Sequence, residues 1–191
     1  MACRRFDWCV LLLLALSLLI LPLRWLLAVL LAGAVHELGH YVALRLCGVN
    51  VSNLRIGIGG ARMTVGDMGR WQELLCALAG PMAGLSLILL ARWLPRTAVC
   101  ACIHSAYNLL PVYPLDGGRA VHCICPSERI CRWIEWSCIG LMAFAGLYGS
   151  LFLKLGYLPL TVSAMTIHRA LAGKGLAKRG LFRYNRGRIY E

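Results

Sequence analysis

Residues 25–44 form an almost wholly apolar run, and about 20 such residues are enough to cross a bilayer core as a helix. Inside that run sits His36-Glu37-Leu38-Gly39-His40. An ionisable side chain at mid-membrane costs about 3 kcal/mol even on lenient insertion scales, so three of them together need a physical reason to be there. Positions i and i+4 of a helix share one face, so His36 and His40 can turn imidazole nitrogens toward one metal ion. Glu37 follows the first of them directly and can serve as the general base of a metal-dependent hydrolase. A plainer reading has the three side chains bonding one another in a helix bundle. That accounts for their burial but not for their spacing.

The rest of the chain supports a membrane setting. Of its 191 residues 60% are hydrophobic and 15% charged, a composition that belongs to polytopic membrane proteins and leaves no room for a soluble module of ordinary size. Six apolar segments can be drawn, at residues 9–23, 25–44, 74–93, 97–115, 136–153 and 155–171. Pro22 with Arg24, Pro95 with Arg96, and Gly156 with Pro159 separate adjoining pairs. The first segment is short and follows Arg4 and Arg5, as in a signal peptide. No small-residue cleavage site stands out after it, so a retained first span is expected. The last segment is interrupted by His168 and Arg169, which leaves the count at five or six.

The net charge of +12 does not point to nucleic acid, because no aromatic–basic module of the usual kinds is present. The basic residues gather at the ends of the apolar runs. With both termini on the cytoplasmic side, sixteen of the 20 Lys and Arg fall inside, and only Arg24, Arg92, Arg96 and Lys154 fall outside. Residues 174–191 form a basic cytoplasmic tail after a transmembrane domain at 1–173. The ten cysteines include no C-x-x-C pair and are expected to be reduced and structural.

Residues 49–66 change character. Apolar residues nearly alternate on either side of Gly59-Gly60, which predicts a small membrane-associated β-hairpin with a glycine turn. An exposed strand edge there could pair with an extended peptide.

Two histidines need a third protein ligand to hold a metal while leaving one position open. Asp116 is the candidate, in Asn108-Leu109-Leu110-Pro111 followed by Pro114-Leu115-Asp116-Gly117-Gly118-Arg119. Pro111 and Pro114 break the helix before it, and irregular backbone at membrane depth belongs where it lines a cavity or is buried in protein. Asn108 could face that cavity and bond a substrate carbonyl or the developing oxyanion. His104 precedes Asp116 by twelve residues, about 18 Å along a continuous helix, and is not taken as a ligand. His122 and His168 have no assigned role.

Together these motifs, with Gly59-Gly60 and Ala79-Gly80-Pro81 in the same order, resemble the site-2 protease family of intramembrane zinc metalloproteases. The resemblance covers about residues 25–120. It implies an all-α polytopic membrane protein of about six transmembrane helices, with a three-helix catalytic core. It implies one zinc ion per chain held by His36, His40 and Asp116, with Glu37 activating water. Asn108, Gly59 and Gly60 would position a membrane-tethered protein substrate. Within the family the chain is most similar to members that process a sigma-factor precursor during sporulation, which implies a bacterial cell membrane and an inhibitory membrane-protein partner. Those members often carry a CBS domain after the last span, where this chain has the basic tail. The alternative functions are a membrane metal transporter and a non-catalytic membrane scaffold.

Overall fold

Pro22 has no N–H to offer and a backbone shape suited to a helix start, and in the computed structural model helix α1, Leu23–Leu46, begins directly after it. The structure describes residues 17, 21–49, 51–57, 60–65, 68–151 and 158–178. The expected first span at 9–23 and the end of the basic tail therefore lie almost wholly outside the described residues.

Helix α1 ends by a mechanism legible in its last residues. Gly48 takes the left-handed conformation (φ 70°), which costs glycine little and other L-residues about 1–2 kcal/mol. The Gly48 N–H then donates to the Arg45 carbonyl (3.1 Å) and the Val49 N–H to the Leu44 carbonyl (3.0 Å). Leu44 and Val49 close the turn by packing together with Cys76, the apolar contact that accompanies this type of helix stop. The chain then enters β1, Val51–Gly57, which pairs antiparallel with β2, Gly60–Val65. Gly57 stands opposite Gly60 in the register.

Helix α2, Arg70–Ser86, tightens into a 3₁₀ turn at Leu87–Leu90. Helix α3, Pro95–Asn108, has 14 residues, about 21 Å at 1.5 Å per residue and short of a bilayer core. Helix α4 is Asp116–Ile124, α5 is Glu128–Leu151 and α6 is Leu158–Lys178. Helices α1, α2 and α3 pack on one another, α4 lies against α2, and α5 pairs with α6.

Several boundaries differ from the sequence expectation. The segment expected at 97–115 is a helix only to Asn108, because Pro111 and Pro114 cannot donate to the ladder. The segment expected from 136 starts at Glu128; its exposed Arg129 and Arg132 form a polar first turn that hydropathy leaves out. Helix α6 runs to Lys178, past the expected start of the tail.

The packing is inverted relative to a water-soluble domain. On α1, Ala28, Ala32 and His36 are buried, while Leu23, Leu27, Leu30, Leu31 and Leu38 are exposed. Among the described residues, three helical stretches are long and apolar enough to span a membrane: Leu23–Leu46, Arg70–Leu90 and Glu128–Leu151. Polar groups inside and leucines outside make this a membrane protein.

Candidate metal centre

The i, i+4 spacing on α1 does what helix geometry requires. His36 and His40 project from one face, and their Nε2 atoms lie 3.2 Å apart. Asp116, the first residue of α4, brings Oδ2 to 3.2 Å from His36 Nε2 and 3.1 Å from His40 Nε2. A carboxylate at a helix N-terminus also sits at the positive end of the helix dipole.

The triangle can offer the lone pairs that a metal ion needs. The His40 Nδ1–H donates to the Cys76 carbonyl oxygen on α2 (2.7 Å), so a neutral His40 keeps a lone pair on Nε2. Asp116 Oδ2 is a second acceptor. Tetrahedral bonds of about 2.0–2.1 Å would set ligand atoms roughly 3.3–3.4 Å apart, close to the edges observed, so the donor set fits a zinc-like ion. Among the described residues, His36, His40 and Asp116 are the group that could hold one.

Surrounding groups fix these donors in place. The imidazole of His40 occupies space that any side chain at position 80 would need: a Cβ on Gly80 would run into Nε2, Cε1 and Cδ2 of that ring. Gly80→Ala is therefore expected to turn the ring away from the Cys76 carbonyl and to lower zinc affinity by about tenfold or more, at the lower end of what losing an outer-shell partner costs. Chelator competition on the purified variant checks this; wild-type affinity would refute it. On the far side of the carboxylate, Arg119 Nη1 stands 3.7 Å from Asp116 Oδ1, and Arg119 Nε stands 3.8 Å from Glu73 Oε1. Asp116 thus turns one oxygen to the histidines and the other to a cation.

Glu37 is half-buried on α1 at the position after His36. Asn108 ends α3, and its Nδ2 donates one hydrogen to the His104 carbonyl (3.0 Å), which leaves the second N–H of that amide for another acceptor. Gly60 opens β2, and Gly59 lies outside the described residues. His104 is nearer the site than a continuous helix would allow. Its ring packs edge-on against His36, centroids 4.6 Å apart, because the chain leaves the helix at Asn108 and doubles back. It stays outside the three-ligand group. His122 instead meets Tyr113. The eight described cysteines are free thiols.

The sequence alone assigns no site role to Gly80, the Cys76 carbonyl, Arg119 or Glu73. Each acts through a contact between elements far apart in the chain, and only the Gly80 and Arg119 motifs hinted at any importance.

No family model matches the chain. Over 105 residues it is 28% identical to a zinc metalloprotease of Methanocaldococcus jannaschii, a match that covers 47% of this chain and 31% of that protein. It thus spans about a third of that relative's length. Among solved structures the chain is similar to the site-2 protease from Methanocaldococcus jannaschii, with a TM-score of 0.57 and 19% identity over 95% of this chain and 90% of that one. The overall architecture of the chain is thus that of the site-2 protease fold.

Proposed function

We propose that the protein is an intramembrane zinc metalloprotease that cleaves a membrane-tethered protein within or near the bilayer. One observation carries the reading: three metal-ligating atoms converge to within 3.2 Å beside Glu37, inside helices whose outer faces are apolar. When bound, one zinc ion per chain would polarise the scissile carbonyl and acidify a water molecule. His36, His40 and Asp116 hold that ion. Glu37 accepts a proton from the attacking water and delivers it to the leaving amine as the C–N bond breaks and a C–O bond forms. Asn108 offers its remaining amide N–H to the substrate carbonyl. The strands flanking Gly59-Gly60 present an edge to an extended substrate.

The finer reading rests on the sequence: its apolar segments support about six spans and its Lys and Arg distribution cytoplasmic termini, and its resemblance supports a bacterial cell membrane. The protein's substrate is a sigma-factor precursor processed during sporulation, and an inhibitory membrane partner controls access. The test is co-expression with a tethered sigma-factor precursor, followed by immunoblotting and repeated after zinc chelation and zinc restoration in isolated membranes. A shortened product that disappears with chelation and returns with zinc supports the reading. Cleavage indifferent to zinc removal refutes the metalloprotease assignment, and zinc-dependent cleavage of other tethered proteins but not this one refutes the substrate alone.

A further inference from the structure

We propose that Glu135 is a positioning residue for the metal centre. Reaching across from α5, its carboxylate holds residues 109–115 in the conformation that delivers Asp116 to His36 and His40. The proposal rests on the metal-centre reading above.

The case starts from an account of backbone donors. At membrane depth each buried N–H needs a partner within the protein. Between α3 and α4, Pro111 and Pro114 have no N–H to satisfy. The N–H groups of Leu109, Leu110, Val112 and Leu115 donate to the carbonyls of Ser105, Tyr107, Leu110 and Val112, at 2.9, 3.2, 2.7 and 2.8 Å. All four acceptors are local. Tyr113 differs: its N–H donates to Glu135 Oε1 at 2.9 Å, a bond to another helix.

Glu135 is 4% exposed, on a helix apolar and long enough to span a membrane. A buried carboxyl group there is expensive unless it is partnered. Its position accounts for its use. Val112 and Leu115 pack against Ile139 of α5 and Ala170 of α6, which sets the depth of the segment. Apolar packing is non-directional, however, and does not by itself fix the rotation of the segment. The bond from Glu135 supplies the direction. A Cβ on Gly118 would come within 2.5 Å of Tyr113 N. The Tyr113 backbone thus meets both Glu135 and a glycine two residues after Asp116, so a shift of Tyr113 moves the ligand.

The two conservative substitutions separate reach from charge. Glu135→Gln keeps an acceptor oxygen at the same distance. Glu135→Asp keeps the carboxylate but withdraws it by one carbon–carbon bond, about 1.5 Å. Zinc affinity of the purified full chain is measured by chelator competition, with circular dichroism recording the folded state. Glu135→Gln is expected to bind zinc within about threefold of wild type. Glu135→Asp and Glu135→Ala are expected to bind about 10–100-fold more weakly, the range for removing an outer-shell partner of a metal ligand. Wild-type affinity in folded Glu135→Asp or Glu135→Ala overturns the proposal, and so does a loss in Glu135→Gln equal to that in Glu135→Asp. If Glu135→Ala does not fold, Glu135→Asp decides. Cleavage assayed on the same preparations keeps the two readings apart: a wild type that binds zinc but cuts nothing ends the protease assignment, while the role of Glu135 is still judged by affinity.

Discussion

Glu37→Gln is expected to lower peptide-bond cleavage by about 10²–10⁴-fold, the usual contribution of a positioned general base, while zinc content stays at the wild-type level. The amide keeps the size and shape of the carboxylate but is neutral and cannot take a proton from water. None of the three atoms of the metal-binding group belongs to Glu37, so their mutual distances of 3.1–3.2 Å have no reason to change. Zinc analysis and a cleavage assay on one preparation check both halves. The result also separates the competing functions. A metal transporter needs ligands but no base, and should retain transport in the variant. A scaffold should bind its partner equally well with either residue. Cleavage at the wild-type rate by Glu37→Gln would remove the catalytic assignment.

Asp116→Ala is expected to have the opposite signature: metal is lost first, and activity with it. Without Oδ2, two neutral imidazoles on one helix remain, with no anionic ligand to offset the charge of a divalent ion. The carboxylate that Arg119 faces at 3.7 Å disappears as well, which leaves that cation with Glu73 alone as its anionic neighbour. Zinc affinity should fall by more than about a hundredfold, beyond the 10–100-fold cost of losing an outer-shell partner. Zinc titration of the purified variant measures this. Stoichiometric binding at wild-type affinity would show that Asp116 is not a ligand.

What the sequence makes legible follows from which interactions are local. His36 and His40 meet because four residues make about one helical turn, and that relation holds wherever the helix packs. Pro111 and Pro114 announce an interruption because a missing N–H is a property of the residue itself. Gly80 is different. The dipeptide Gly80-Pro81 is visible in the sequence, but its purpose appears only when α2 lies against α1 and the His40 ring fills the space. Glu73 reads as an ordinary charge, and Arg119 as the end of a motif with no stated partner, until α4 lies against α2. Glu135 reads as an oddity near the start of an apolar segment, and its partner is a backbone N–H that no side-chain pattern encodes. The misjudged distance of His104 has the same origin: a rise per residue applies only while the helix continues, and this one stops at Asn108.

The third ligand comes from 76 positions away in the chain, and this gives the centre a second, mechanical meaning. An ion seated between α1 and α4 is a removable staple that closes a long loop, much as a disulfide would, but under the control of metal supply instead of oxidation. At a free concentration a hundred times its dissociation constant, such an ion stabilises the bound form by about 2.7 kcal/mol. Loading would therefore tighten the join between two otherwise separate helices as well as equip the site for chemistry. Scarcity of metal would slacken that join at the place where the segment held by Glu135 meets α4.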